Sequence, residues 1–316
     1  MTVLVTGADG FVGRWVLRAL LAAGYGVVGA VQPGPPHEDG LTDAERDAVL
    51  WIPLELGDLH SVRQVASRPV DAVIHLAAVA SGGDALRDPG VAWAVNAAGT
   101  ARLLGEFGRR HREGEGDPLV VVVSSAEVYG AGPSRPLRET DAIAPRSPYA
   151  ASKAGAELAA METRARTGLR VIITRAFPHT GPGQDERFVA PAFARRLRGA
   201  RLAHARVVKV GNLEPVRDFL DVRDVAAAYV ALLERGEPGE VYNVASGQGV
   251  SLQELFDRLS AIVGVNAIPE PDPEFMRPAD IPFLVGDSAK LRAVAGWAPG
   301  ISLDRTLRDL VDAQAD

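Results

Sequence analysis

Cysteine is absent from the 316 residues, so neither disulfides nor thiolate chemistry operates here. No apolar run reaches the roughly 18 residues of a membrane span. An excess of positive charge is lacking too. The formal net charge of −6 gives no overall electrostatic reason to bind nucleic acid or an anionic membrane. The six histidines (37, 60, 75, 111, 179 and 204) show no HxxxH spacing, so a metal site is not expected. Lysine is scarce, with three residues (Lys153, Lys209, Lys290) against thirty-one arginines, so a lysine inside a motif is unlike the filler cations elsewhere. Internal repeats and low-complexity tracts are missing as well. The stretch after Met1, "TVLVTGADG", has no basic region and no small-residue cleavage site, and the expected compartment is the cytoplasm.

What is present has the balance of a folded protein, 47% hydrophobic and 23% charged, at a length that allows one large domain or two. Short β-branched runs alternate with helical stretches. "TVLVT" precedes "RWVLRALLAAG", with apolar positions at helical spacing closed by Gly24, and "GVVGAV" follows. "VLWIPL", "DAVIHLA", "PLVVVVSS", "LRVIITRA" and "GEVYNVAS" complete a strand set separated by helix-length segments, which predicts an α/β, doubly wound parallel sheet. The strands are unbroken apolar runs, as expected when helices cover both faces. After about residue 176 proline and glycine become dense. The expected division is therefore residues 1–176 plus roughly 216–245 in the main domain, with 177–215 and 246–316 in a smaller α/β lobe.

"TGADGFVG" places Gly7, Gly10 and Gly13 between the first strand and the first helix, so a tight turn leads onto a helix N-terminus that can face a pyrophosphate. Val31 and Gln32, ending the second strand, offer neither a carboxylate for the ribose hydroxyls of NAD nor an arginine for the extra phosphate of NADP. With no carboxylate to repel a phosphate, the expectation is NADP(H) ahead of NAD(H), with NAD(H) still open. Asp58, in "LGDL", suits either an acceptor for an adenine amino group or a helix N-cap.

"RSPYAASKAG" sets Ser147 as an N-cap and Pro148 as the first helical residue, so Tyr149 and Lys153 lie one turn apart on one face. An adjacent ammonium is expected to lower the phenol from its usual value of about 10 and so equip Tyr149 for acid–base work on a carbonyl or alcohol. A YxxxK pair on a helix surface is the ordinary alternative. Ser125, at the end of "VVVSS", is placed to reach a ligand over the carboxyl ends of the strands and hold a substrate oxygen for Tyr149. A dinucleotide-sensing protein without chemistry would need none of the three.

These features, with "HLAAVA" from His75, Asn96 in "VNAAGT", "RDVAAAYVALLE" and "YNVASG", resemble the extended short-chain dehydrogenase/reductases that act on nucleotide sugars. The resemblance covers nearly the whole chain. Within it "HTGPGQ", "KVGNLEPVRDFLDVRD" and "RPADIPFLVGDSAKL" with "GWAP" are similar to the GDP-mannose branch, whose reductases and 4,6-dehydratases share several of these stretches. The resemblance implies a Rossmann-type fold and a hydride passed from reduced nicotinamide to C4 of a GDP-4-keto sugar. It further implies that Tyr149 protonates the alkoxide and that the product is a GDP-6-deoxyhexose of the GDP-rhamnose type. A nucleotide-sugar dehydratase or epimerase is the alternative.

The resemblance further implies cofactor contacts from Phe11, Val12, Gln32, Leu59, Leu76, Ala77, Ala78 and Asn96 besides Gly7, Gly10, Gly13, Asp58, Tyr149 and Lys153. Substrate contacts are implied for Ser125, Glu127, His179, Phe188, Val189 and Lys209, with Arg217 and Arg277 clamping the diphosphate; surface charge in loops is the alternative for these cations. Helices near 91–112 and 148–167 are implied to form a four-helix homodimer interface. Two departures stand out. Pro178 replaces the family's asparagine before "HTGPG", removing a side-chain amide and a backbone N–H. Glu127 matches the carboxylate that dehydratases use as a base, while Ala126 leaves no second acid beside it, which tilts the expectation toward reduction.

Overall fold

The computed structural model describes residues 1–34, 40–276 and 281–314. Seven strands, β1 (Thr2–Thr6), β2 (Gly26–Val31), β3 (Val49–Pro53), β4 (Ala72–His75), β5 (Leu119–Ser125), β6 (Val171–Ala176) and β7 (Val241–Val244), form one sheet in the order 7-6-5-4-1-2-3. All six pairings are parallel. This is a Rossmann-type sheet. The order reverses between β1 and β4, which opens a crevice beyond the carboxyl ends of those strands.

Side-chain alternation explains why every strand is apolar on both sides. Val3 and Val5 point into a core shared with α1 (Phe11–Ala22), whereas Leu4 points into the opposite core, shared with α2 (Leu59–Ala66), α3 (Thr100–Arg112) and α4 (Pro148–Thr167). The first core also takes Tyr229 and Leu232 of α6 (Val222–Arg235). Residues Leu291, Ala295 and Trp297 pack there too, with Trp297 Nε1 donating to Asp224 O at 3.0 Å, so part of the C-terminal region leans on the sheet.

A separate apolar cluster joins α5 (Val189–Leu202), α7 (Leu252–Val263) and α8 (Leu303–Ala313), the last two helices being the main long ones after β7. Phe193 and Phe256 meet edge to face at its centre, with ring centroids 5.5 Å apart. Strand Val207–Val210 pairs with Ile268–Pro271 beside it.

Two local features are additional to the expected elements. Asp43–Asp47 is a short helix opened by a capping box between Thr42 and Glu45. The helix expected near 91–112 is divided: Pro89–Ala92 runs into a π-helical stretch, Trp93–Gly99, before α3. Thr100 Oγ1 donates to Asn96 O at 2.6 Å where the helix regains its normal pitch. Among the described residues no helix is long and apolar enough to cross a membrane.

Candidate active site

A cleft of about 1760 Å³ runs from the glycine turn past the ends of β4, β5 and β6 to the N-terminal part of α5. The turn depends on glycine. Gly7 has φ +66°, and a Cβ there would lie 3.0 Å from the Ala77 backbone; a Cβ on Gly13 would lie 2.2 Å from Gly7 O. Gly10 caps α1 without a side-chain hydrogen bond, and the first turn carries no acidic residue. The helix end therefore presents backbone N–H groups to the cleft, which fits a dinucleotide diphosphate. Phe11, Val12, Gln32, Leu76, Ala77 and Ala78 line the same end.

Asp58 and Leu59 do not line the cleft. Asp58 is the N-cap of α2, accepting from His60 N at 2.9 Å, and Leu59 is exposed at the helix start. Of the two roles open to this aspartate, the capping one is present in the structure. Asn96 is also outside the cleft wall. It is buried in the π-helical stretch, accepts from Val79 N at 2.8 Å, and donates to Val79 O and Ser152 Oγ, thereby fixing the loop after β4.

The chemistry-bearing side chains meet at the end of β5. Ser147 accepts from Ala150 N at 3.1 Å and Pro148 is the first helical residue, so α4 starts where the sequence places it. Tyr149 is half-buried, its ring on the cleft and its hydroxyl hydrogen-bonded to Ser125. Ser125 Oγ also accepts from Glu127 N at 3.2 Å, which brings the Glu127 carboxylate beside the site. Lys153 is buried, and its Nζ donates to Val123 O at 2.8 Å.

The expected electrostatics of this pair need correcting. The Tyr149 phenol is pushed up, not down: burial raises it most, the Glu127 charge raises it further, and only the Ser125 hydrogen bond opposes them. Burial pushes Lys153 down to about 8, with Glu157 opposing. The spacing along one helix could disclose the ammonium but neither the enclosure nor the carboxylate that the β5 turn delivers. His75, behind Lys153, is held down to about 3 by burial and then by the nearby ammonium, and is fixed as a neutral ring between Thr6 and Thr100 hydroxyls.

At the other wall, His179 Nδ1 faces Phe177 O at 2.9 Å, so Nδ1–H is the donor and Nε2 is left as an acceptor; burial pushes the ring's pKa down, and it stacks on Phe11 at 6.3 Å. Phe188, Val189, Pro178 and Arg217 line the cleft, Arg217 donating to Ile281 O at 2.6 Å. Lys209 does not. Val208 and Val210 point into the lobe's core, so the strand's pleat sends Lys209 outward, where Nζ pairs with Asp272 at 2.9 Å. Its carbonyl takes a hydrogen bond from Arg196, which lines the cleft with its guanidinium 3.8 Å from the Phe275 ring centroid. Sequence reasoning missed Arg196, one of several arginines in "FARRLRG" with no spacing to single it out. Arg277 lies outside the described residues.

With this geometry in hand, comparison with known proteins is decisive. The family model described as GDP-mannose 4,6 dehydratase matches residues 4–310. The chain belongs to that family. It is 37% identical to GDP-6-deoxy-D-mannose reductase of Pseudomonas aeruginosa over 97% of this chain and 95% of the relative. It is 30% identical to UDP-glucose 4-epimerase of Mycolicibacterium smegmatis over 99% of this chain and 98% of that one. The solved structure of RMD from P. aeruginosa complexed with NADPH superposes with a TM-score of 0.81 at 33% identity, covering 99% of this chain and 98% of the other. A UDP-glucose 4-epimerase from Thermus thermophilus in complex with NAD gives 0.85 at 30% identity over 99% and 98%. Members of this family with such neighbours are extended short-chain dehydrogenase/reductases.

Proposed function

We propose that the protein is an NAD(P)H-dependent reductase that converts the C4 ketone of a GDP-4-keto-6-deoxyhexose to the alcohol, giving a GDP-6-deoxyhexose of the GDP-rhamnose type. The observation that carries this reading is the meeting of Ser125, Tyr149 and Lys153 on one cleft wall, in a chain 37% identical to a GDP-6-deoxy-D-mannose reductase. A bound reduced nicotinamide would supply the hydride. The chain's own residues do the rest. Ser125 holds the carbonyl oxygen, and Tyr149 delivers a proton to it as charge develops. A phenol pushed up in pKa stays protonated at neutral pH, as a donor in the reductive direction must. The Lys153 ammonium is compact enough to serve a ribose hydroxyl while favouring charge on Tyr149 in the transition state.

The open N-terminus of α1, with Gly7, Gly10, Gly13, Phe11 and Val12, would hold the cofactor diphosphate. NADP(H) is favoured over NAD(H) because Gln32 on the cleft wall carries no charge to repel a 2′-phosphate. Arg217, with Arg277 by motif match, would clamp the substrate diphosphate. The substrate lobe is drawn from residues 177–215 and 246–316, with His179, Phe188 and Val189 facing the nucleotide sugar. Exposed Trp93, Leu158 and Met161 lie on the elements expected to form a four-helix homodimer.

Glu127 at the site keeps a second reading open, a GDP-mannose 4,6-dehydratase. One pair of assays separates the two. A GDP-4-keto-6-deoxyhexose with reduced cofactor should consume that cofactor stoichiometrically. GDP-mannose incubated with the enzyme and oxidised cofactor should keep its mass. Loss of water from GDP-mannose, without reduction of the keto sugar, would replace the first reading with the second.

A further inference from the structure

Behind Lys153 lies a buried charged pair, Glu157 and Arg175, that the proposed reaction does not use. Lys153 and Glu157 are one turn apart on the inner face of α4, and both are buried. Both reach β5: Lys153 Nζ donates to Val123 O at 2.8 Å, and the neighbouring Ser124 Oγ donates to Glu157 Oε1 at 2.6 Å. From β6, Arg175 closes on the same carboxylate, with Nη2 2.8 Å from Oε2 and Nε 3.1 Å from Oε1. Arg175 is itself anchored, donating to Glu139 O and lying 4.7 Å over the Tyr129 ring. Ser124 and Arg175, from two strands, thus hold the carboxylate one helical turn from Lys153.

We propose that Glu157 is a positioning residue for Lys153: a carboxylate locked one helical turn below the ammonium by Ser124 and Arg175, which keeps that ammonium charged at the cleft. A buried ammonium loses its hydration and reverts to the amine unless an anion compensates it. The groups around Lys153 leave Glu157 as that anion. His75 from β4 is neutral between its two threonines. Arg175 from β6 is cationic and pairs with the Glu157 carboxylate at 2.8 Å, and Glu157 is the charge that raises Lys153. Glu127, from the turn after β5, acts on Tyr149, one turn before Lys153 on α4, and Glu162 is paired with Arg166 further along the helix. Asn96 and Thr100, from the π-helical stretch and α3, carry no charge. A purely structural ion pair would leave Lys153 indifferent to the charge of residue 157.

The relevance to catalysis rests on the reductase reading, so the deciding measurement follows Lys153 itself. With only three lysines in the chain, protein labelled at the lysine side chains gives three signals, assignable by Lys→Arg changes at 209 and 290. In the unaltered protein the Lys153 signal should titrate near 8. Glu157→Gln keeps an acceptor for Arg175 but removes the charge; the Lys153 midpoint should fall tenfold or more in proton affinity, about one pH unit, while the other two stay in place. Glu157→Asp should recover most of the shift. If Glu157→Gln does not fold, Glu157→Gln with Arg175→Met removes both buried charges, a replacement that cores tolerate, and should move the midpoint the same way by less. An unmoved Lys153 midpoint in whichever variant folds overturns the proposal. A moved midpoint in a protein that reduces no GDP-keto sugar upholds it and instead sinks the reductase reading.

Discussion

Tyr149 is held by opposing influences, and their balance suits the proposed proton donor. Enclosure and the Glu127 charge keep the phenol protonated, while Ser125 offers the one interaction that eases proton release. Tyr149→Phe should lower kcat by about 10²- to 10⁴-fold, the range for a lost general acid, while the dissociation constant of the reduced cofactor, read by nicotinamide fluorescence, stays within about twofold. Lys153 predicts a pH limb. Its pKa in the folded chain is about 8, so the ammonium is present below that pH and lost above it; turnover at saturating cofactor should fall as pH rises through this value. A flat profile to well above that midpoint would remove Lys153's charge from the mechanism. At this scale the sequence disclosed that Tyr149 and Lys153 share one face of a capped helix, because YxxxK is a local pattern. It misjudged the phenol, because burial and the Glu127 charge come from other elements.

The α1 N-terminus and its glycine turn act as one element. The contact between Gly13 and Gly7 O leaves no room for a side chain, so Gly13→Ala must push the helix end away from the turn. Its expected effect is a loss of cofactor affinity of at least tenfold with the melting temperature changed by only a few degrees, measured by calorimetry on the same samples. The strand and helix pattern of the sheet was readable from apolar runs, whose continuity reports two covered faces. The π-helical stretch at Trp93–Gly99 was not; within it Asn96 bonds to the Val79 backbone and Ser152, contacts that no local pattern encodes. Lys209 shows the same limit, since a motif match carries no information on which way a strand's pleat turns its side chain.

For the whole molecule, the cleft lies where the sheet meets the cluster built from α5, α7 and α8, so ligand affinity should draw on both. GDP should bind the cofactor-loaded protein at least tenfold more tightly than UDP by isothermal calorimetry, and Arg217→Ala should weaken GDP binding without changing cofactor affinity. Equal affinity for both nucleotides would refute the GDP assignment. The exposed Leu158 and Met161 on α4 test the assembly: Leu158→Glu with Met161→Glu places two charges on the proposed interface, and sedimentation should show a dimer become a monomer.

By itself the sequence determined the parallel α/β sheet, the glycine turn, the serine, tyrosine and lysine set and the family they resemble, because each is written in periodicity or short spacing along one element. The tertiary structure alone decided that Asp58 caps a helix, that Lys209 faces outward while Arg196 faces the cleft, and that the Tyr149 phenol is pushed up in pKa. It also brought Ser124, Glu157 and Arg175 together behind Lys153. These outcomes depend on desolvation and on charges delivered by distant strands, and both exist only once the chain has packed.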